Sequence, residues 1–322
     1  MGSLICELVG LLRDEQYQRC RLILHELSVE QTQLLPRVHG VLETEFLAFL
    51  ESHKDVIPKA KCLQHQQHAH PFLLVNGTKY VEGEEGLLQL LVEKTQLSRS
   101  EILAIAAFGG HRDILEYTKQ LELSEETLQS KADTAAKQAL YRARQLSGNR
   151  FVYLTFDVDG VALPRVEIEL FHRVCPSTCE NFVAFCQGKV PDIMDETRML
   201  GYMDNVVHRV VRGGWIQAGD VAGDGQGDGA CRSLFGRSFA DESFAISHDA
   251  TGIVSMANTG THTNGSQFFI TLAPLPYLDR NKVAFGRVVS GLHAILTIGN
   301  LETVHDRPCV PCKIVDCGLI ES

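Results

Sequence analysis

The chain has 322 residues and a formal net charge of −10, with 44% hydrophobic and 22% charged residues. This length exceeds one ordinary hydrophobic core, and the composition is that of globular proteins, so we expect more than one domain. Residues 1–149 carry 16 Lys and Arg against 20 Asp and Glu, and the remainder carries 14 against 20. Neither half offers the basic surface that nucleic acid requires.

Membrane and redox functions are also disfavoured by the composition. The sequence contains no run of about 18 apolar residues, so we expect no membrane partner. Its first 15 residues are too short and too acidic for a signal peptide, which favours a cytosolic protein. Most of the ten cysteines stand singly in apolar runs, as buried reduced thiols do. The pair Cys309 and Cys312 is a weak metal or redox signal, and we expect a structural role, no metal and no cofactor.

Residues 1–95 predict an α/β domain in the order β-α-β-α-β-β-α. Residues 6–12 are an expected buried strand, and residues 15–27 have helical spacing of apolar side chains. Asn76 and Gly77 separate two apolar runs, which is a strong hairpin signal. The segment therefore forms a small sheet with helices against it.

This order, with Pro71 just before the first hairpin strand, resembles the thioredoxin and glutaredoxin family. The resemblance implies a cis bond between His70 and Pro71. It also places active cysteines between the first strand and the first helix, where this chain has none, since Cys20 falls inside the helix. We therefore expect a scaffold without redox activity. The histidines of HQQHAH, residues 65–70, lack a carboxylate or cysteine partner, and we interpret them as a solvated loop rather than a metal site.

Residues 96–149 predict a helical linker. The segment SRSEILAIAAFGG has a serine N-cap and ends at paired glycines, and a longer helix follows with Ser124 as its N-cap. The apolar stripe of the longer helix is formed by Leu128, Ala132, Ala135, Ala139, Ala143 and Leu146. A stripe of such small residues allows close approach, so we expect it to be covered by a domain of this chain or by a partner.

From Phe151 onward the pattern becomes rich in strands. A hairpin is expected about Asp159 and Gly160, and a helix begins at Pro176 and Ser177. Five further blocks follow in order: HRVVRGGWIQAGD, GRSFADESF, GIVSMANTGTHTNGSQFFIT, PYLDRNKVAFGRVVSGLHAI and CKIVDCG. Together these blocks resemble the cyclophilin family of peptidyl-prolyl isomerases.

The resemblance implies that residues 150–322 form a closed eight-stranded antiparallel β-barrel. Two helices, at about 175–187 and 289–296, are expected to cap it. The whole chain is then a multidomain α+β protein, with proline-containing protein segments as the partners of its second half.

The implied reaction is rotation about an X–Pro amide bond, whose barrier is roughly 18–20 kcal/mol. A guanidinium that donates a hydrogen bond to the prolyl nitrogen stabilises the twisted amide more than the planar one. The resemblance assigns this catalytic role to Arg209. The residues that it assigns to substrate binding are Gln217, Ala257, Asn258, Gln267, Phe269 and Leu278, with Trp215, Tyr277 and Lys282 at positions that depart from the family pattern.

These departures weaken the expected proline pocket. Gly214 replaces a phenylalanine that closes the pocket in the family, and Trp215 replaces a methionine. Tyr277 and Lys282 replace a tryptophan and a histidine. The indole of Trp215 either refills the space that Gly214 leaves or plugs it, and Lys282 would repel Arg209 unless an acidic group lies between them.

Two segments are longer or more unusual than in compact cyclophilins. KVPDIMDETRMLGYMDN, residues 189–205, carries apolar side chains that favour a contact loop. GDGQGDGACRS, residues 223–233, could be read as a calcium or phosphate loop, but it lacks the bidentate acid at the right spacing, so a flexible loop is favoured.

A thioredoxin-like start without cysteines, a helical linker and a cyclophilin with a Gly-Trp pair together resemble the isomerase-like six branch of divergent cyclophilins. The resemblance implies weak or absent isomerase activity and a binding or structural role in a cilium or flagellum, with axonemal or microtubule-associated partners. An active isomerase that assists protein folding is the alternative. A redox protein that uses its N-terminal domain or Cys309 and Cys312 is the third and weakest hypothesis.

Overall fold

A computed structural model describes residues 3–67, 69–109, 117–223, 227 and 229–321. The chain divides into two units, residues 1–146 and residues 147–322, each with its own sheet. None of the helices in the described ranges is long and apolar enough to cross a membrane.

The first unit is built on a four-stranded sheet. Its strands are β1 (Leu4–Leu11), β2 (Leu34–Val41), β3 (Phe72–Val75) and β4 (Lys79–Glu82). They lie in the order β2-β1-β3-β4, with β1 parallel to β2 and the other neighbours antiparallel. The helices are α1 (Glu15–Glu30), α2 (Glu43–Ser52), α3 (Lys59–Gln67), α4 (Gly83–Thr95), α5 (Arg99–Phe108) and α6 (Tyr117–Ser147). The elements follow the predicted order, with α3 as an additional helix before β3.

Period-two alternation in β1 fills two cores, one on each face of this sheet. Leu8 packs into a cluster with α1, α4 and α5, whereas its neighbour Val9 packs with Phe46 and Phe72 on the other face. The β3–β4 turn has Asn76 and Gly77 at φ values of 51° and 71°, as a type I′ turn requires. The predicted hairpin therefore forms at the predicted residues.

Two predictions for the segment before β3 are wrong. The bond between His70 and Pro71 is trans, like every other peptide bond in the described ranges. His65 is not solvated: it lies in α3, is 1% exposed, and its Nε2 lies 2.7 Å from the hydroxyl of Tyr80. Its ring packs against Phe46 and Phe72, because the polar residues around it face away from the core.

The start of the long helix also differs from the prediction. Ser124 is 3% exposed and lies inside α6, so it is not the N-cap. Leu128 joins the core of the first unit, and Ala132 and Ala136 are buried with it at a spacing of four residues. Further along the stripe Ala135, Ala139 and Ala143 are half-buried and Leu146 is 87% exposed. The first unit therefore covers only the beginning of the stripe.

The second unit holds a curled antiparallel sheet and two helices, α7 (Pro176–Cys186) and α8 (Leu292–Gly299), near the predicted positions. Its strands are β5 (Arg150–Val158), β6 (Val161–Ala162), β7 (Val166–Leu170), β8 (Val190–Asp192), β9 (Asp195–Leu200), β10 (Arg209–Val211), β11 (Trp215–Ala218), β12 (Ile253–Met256), β13 (Phe268–Thr271), β14 (Ala284–Ser290), β15 (Thr303–Val304), β16 (Arg307–Pro308) and β17 (Cys312–Ile320). The main path is β10-β11-β13-β12-β14-β7-β5-β17, and β6 pairs with β5. The strands β8–β9 and β15–β16 form separate hairpins.

The predicted closed barrel is wrong, because the sheet is open between β10 and β17. In the described part of the chain, these ends are joined by one isolated bridge between Val206 and Lys313. Hydrogen bonds from Val207 to Cys312 and from Ile314 to Asn205 support it. Since β10 has only three residues, the contact does not extend into a ladder.

An aromatic core lies between α7 and the sheet. Phe182 contacts Tyr202, Phe268 and Phe285 at centroid distances of 5.0–5.2 Å. Tyr202 is fully buried and donates its hydroxyl hydrogen to the carbonyl of Ser266 at 2.7 Å. The end of the inserted segment is therefore part of the core rather than a loose loop.

Candidate functional site

A cavity of about 810 Å³ opens where β10, β11 and β13 lie side by side. Nine of the ten predicted site residues line it: Arg209, Trp215, Gln217, Ala257, Asn258, Gln267, Phe269, Leu278 and Lys282. The tenth, Tyr277, lies outside this lining and is 64% exposed. We call this cavity the groove. The structure brings the nine residues together, and their roles in substrate binding stay predictions.

Strand register explains why residues distant in sequence meet in the groove. Arg209 pairs with Gln217 across β10 and β11, and Gln217 pairs with Phe269 across β11 and β13. Residues opposite each other in neighbouring strands point to the same face, so the three side chains form one row. Trp215 precedes Gln217 by two residues and shares its face.

The guanidinium of Arg209 forms an ion pair with Asp306. Its Nε and Nη2 donate to Oδ2 of Asp306 at 3.2 and 3.0 Å. Asp306 and His305 form the two-residue turn between β15 and β16, with φ values of 62° and 52°, and the Asp306 carbonyl accepts from the main chain of Val210 at 2.6 Å. Both side chains of the ion pair are nearly half exposed, so the pair adds little stability but holds the guanidinium.

The indole of Trp215 lies between the arginine and the apolar floor of the groove. The guanidinium carbon of Arg209 is 5.4 Å from its ring centroid, within cation–π distance. The Phe269 ring lies 5.7 Å from the same indole, measured between ring centroids. The indole N–H donates to Oε1 of Gln217 at 3.3 Å. The indole therefore occupies the inside of the groove.

The turn before Trp215 explains the glycine pair. Gly214 donates its main-chain hydrogen to Val211 at 2.8 Å, and Gly213 has a φ of 69°, which favours glycine. A Cβ at Gly214 would lie 3.0 Å from the side chain of Val211. A larger residue at position 214 therefore fits only if Val211 shifts by a few tenths of an ångström.

Phe269 is 3% exposed and is held from behind by a buried polar group. The ring of His248 stacks on it at 5.9 Å between centroids. The two ring nitrogens of His248 lie 2.9 Å from Asp279 and 3.0 Å from Ser255. Hydrogen bonds from His248, led by its main-chain N–H, lower the pKa of Asp279. This network fixes the floor of the groove.

Amide side chains form a connected polar wall. Gln217 donates to Gln267 at 2.9 Å, and Gln267 donates to the carbonyl of Gly227 at 3.0 Å. The carboxylate of Asp220 accepts from the main chain of Gly227 and Gly229. Residues 224–226 and 228 of the glycine-rich segment, which we interpreted as a flexible loop, lie outside the described residues.

Lys282 lines the same groove as Arg209. Its ammonium donates to the carbonyl of Asn258 at 2.8 Å and also to Oδ1 of the same residue. Burial lowers the pKa of Lys282. Each cation therefore has its own acceptor, but the Asn258 oxygens are uncharged, and the repulsion between Lys282 and Arg209 stays a prediction.

The cysteines of the third hypothesis are poor redox candidates. Cys309 is exposed and Cys312 is buried, and burial raises the pKa of Cys312 to about 12. Cys20 is fully buried in α1, which also raises its pKa. All ten cysteines are described, and all are free. Among the described residues, no three His, Cys, Asp or Glu side chains meet as metal ligands would.

Sequence reasoning missed two contacts of the groove. Asp306 lies 97 positions from Arg209, and a solvent-facing hairpin turn carries no signal for such a pair. Met194, from the inserted segment, also lines the groove. Its apolar character was the available signal, but sequence spacing did not show which surface it faces.

An open curled sheet flanked by two helices, with this groove on β10, β11 and β13, is a cyclophilin architecture. Residues 153–319 match the family model of cyclophilin type peptidyl-prolyl cis-trans isomerases. Since this match covers about half of the chain, the chain belongs to that family.

The most informative relatives are named "Probable inactive peptidyl-prolyl cis-trans isomerase-like 6". The Mus musculus protein is 42% identical over 170 residues, 53% of this chain and 53% of the relative. The Homo sapiens protein is 42% identical over 168 residues, 52% of this chain and 53% of the relative. "NK-tumor recognition protein" of Mus musculus is 40% identical over 169 residues, 52% of this chain but 12% of the relative.

These similarities support the assignment of this chain to the divergent isomerase-like 6 branch, as the sequence resemblance predicted. The chain spans about half the length of the isomerase-like 6 relatives that it matches.

Proposed function

We propose that the groove binds proline-containing segments of a partner protein and isomerises them weakly or not at all. The polar requirements of the family reaction are present. Arg209, Gln217 and Phe269 stand in one row, and amide side chains flank them, so hydrogen bonds to a peptide backbone can form on both sides of a proline.

The apolar side of the groove supports the proposal that the isomerase activity is weak. Gly214 provides no side chain to hold a pyrrolidine ring, and the indole of Trp215 lies in the groove between Arg209 and Phe269. The guanidinium is also held by Asp306. A catalytic donor acts only on a proline held in register, and a misplacement of about 1 Å can reduce the rate about a hundredfold.

An active isomerase is the second candidate. The observation that favours it is the row of Arg209 and Phe269, which would still polarise and seat a proline if Trp215 moved aside. Both candidate functions require that the groove binds a peptide, and they differ in the expected rate of X–Pro isomerisation.

We also propose that the chain is a binding or structural component of a ciliary or flagellar axonemal assembly, on the cytoplasmic side of the membrane. The support for this role is the sequence resemblance to the isomerase-like 6 branch. For the first unit we propose a thioredoxin-like scaffold, supported by the strand order β2-β1-β3-β4. The turn after β1 carries no cysteine, which supports a scaffold without redox activity.

Peptide binding to the full chain tests the proposal. A fluorescein-labelled peptide of Gly and Ser with one central Ala–Pro should bind more tightly than its Ala–Ala counterpart, measured by fluorescence anisotropy. Phe269→Leu should weaken binding of the Ala–Pro peptide, because a ring that contacts the proline is lost. Phe244→Leu is the matched control, because Phe244 is 40% exposed and lies outside the groove lining, and it should leave binding unchanged. Equal binding of the two peptides would refute the proposed function.

A further inference from the structure

The inserted segment forms a hairpin of its own beside the groove. Val190 pairs with Leu200 and Pro191 with Met199, and the strands β8 and β9 form a separate two-stranded sheet. Ile193 and Met194 form its tip. We call residues 190–200 the inserted hairpin. Because it lies off the main sheet, its position depends on side-chain contacts.

A buried ion pair holds the tip against the groove wall. Arg232 and Asp192 are 7% and 5% exposed, and the Nε of Arg232 donates to Asp192 Oδ1 at 2.9 Å. The same oxygen accepts from the main chain of Met194 at 3.1 Å, and Arg232 also donates to the carbonyl of Cys231 at 3.2 Å. The Met194 N–H and then the Arg232 guanidinium lower the pKa of Asp192. A buried ion pair adds little net stability, but its geometry fixes one arrangement.

The fixed arrangement presents the side chain of Met194 to the groove, and Ile193 is exposed beside it at the tip, outside the groove lining. Met194 lines the same cavity as Arg209 and Phe269, although 70% of its surface is exposed, and Ile193 is 42% exposed. Methionine adapts its shape to an apolar partner better than other residues do. Since Phe269 and Met194 line one cavity, a chain bound at the proline site can extend to the tip.

We propose that Ile193 and Met194 form an additional apolar subsite, which binds a bulky aliphatic side chain of the same extended, proline-containing segment, outside its X–Pro pair. This subsite rests on the proposed function of the groove. The occupant is a peptide segment because the amide groups that line the rest of the cavity suit a peptide backbone. The subsite selects partners by a residue that takes no part in isomerisation.

The test uses the full chain and a set of peptides. Each peptide is the Ala–Pro peptide of Gly and Ser with a single leucine in place of one Gly or Ser, and the leucine stands at a different position in each. We expect one leucine position to tighten binding about tenfold, which corresponds to burial of much of its side chain. Met194→Gln, on an exposed tip, should remove this gain, measured as the ratio of the affinities for the leucine-containing and leucine-free peptides within the same variant. Met203→Gln is the control, since Met203 is 53% exposed on the same insertion and lies outside the groove lining.

Each outcome separates the subsite from the proposed function. If no leucine position tightens binding, or if Met194→Gln keeps the gain, the subsite is refuted while Ala–Pro binding still supports the groove. Loss of the gain in Met203→Gln as well would show a general effect of the insertion and would also refute it. If the Ala–Pro peptide does not bind at all, the proposed function fails and the subsite fails with it.

Discussion

The two units use buried polar groups in different ways. In the first unit they are enclosed: Arg19 is bound by Glu84 and Glu125, and His65 contacts Tyr80 inside an aromatic core. In the second unit the cations Arg209 and Lys282 line an open groove and each binds acceptors of one neighbouring residue, although the same unit also encloses the pair of Arg232 and Asp192. Enclosed polar groups affect the free energy of unfolding, whereas groups around a groove affect binding and leave stability nearly unchanged. Substitutions in each unit test this difference.

The largest expected effect is the loss of Arg19. Its guanidinium donates twice to Glu84, at 2.6 and 2.7 Å, and its side chain is 7% exposed. Arg19→Met should leave this carboxylate without its partner and lower the free energy of unfolding by about 3 kcal/mol. Urea denaturation measures this effect, and affinity for the Ala–Pro peptide should not change.

Arg99→Met is the matched control, because the pair of Arg99 and Glu85 is largely exposed. It should cost less than about 1 kcal/mol. Equal losses for the two arginines would contradict the distinction between enclosed and exposed groups.

A second effect concerns pH. Burial lowers the pKa of His65 from 6.5 to about 4. Unfolded His65 binds its proton below about pH 6.5 and folded His65 only near pH 4, so acidification between these values favours the unfolded state. The stabilisation lost by pH 5 is about 2 kcal/mol.

Denaturation of the full chain at pH 7 and pH 5 measures this loss. His65→Gln should reduce the stability difference between the two pH values by about that amount, and His25→Gln, at a largely exposed side chain, should not. An unchanged difference in His65→Gln would show that His65 does not titrate as its burial requires.

The smallest effect belongs to the groove. Asp306→Asn keeps the turn, because asparagine also adopts positive φ, but it releases Arg209 from an ion pair. Exposed pairs of this kind contribute about 0.2–1 kcal/mol, so affinity for the Ala–Pro peptide should rise by up to about fivefold. Asp204→Asn removes the exposed pair with Lys313 and should change affinity little. Weaker binding in Asp306→Asn would show that Asp306 positions the guanidinium instead of competing for it.

The sequence predicted which residues line the groove better than it predicted the hydrogen bonds and ion pairs between their side chains. The family resemblance named Arg209, Gln217 and Phe269, and the structure places them in one row because residues paired across neighbouring strands share a face. The pairing of Lys282 with Asn258 could not be predicted, because a long flexible side chain selects its acceptor only in the folded structure.

Elements in polar segments were also harder to predict. The helix that contains His65 was not predicted, because most of its residues are polar and only one buried position interrupts the polar pattern. Ser124 resembles an N-cap, but α6 begins earlier and buries it. Closure of the sheet depends on the length of β10, which the family resemblance does not determine.

We propose that the groove keeps its electrostatic side and lacks the apolar fit that catalysis needs. The most direct test of this proposal is the isomerisation rate of a short Ala–Pro peptide, measured by NMR exchange with the full chain. We predict a rate far below that of an ordinary cyclophilin, little affected by Arg209→Ala, and a marked increase in the double variant G214F/W215M once Val211 has adjusted. A rate typical of the family in the natural chain, abolished by Arg209→Ala, would contradict the account and establish an active isomerase.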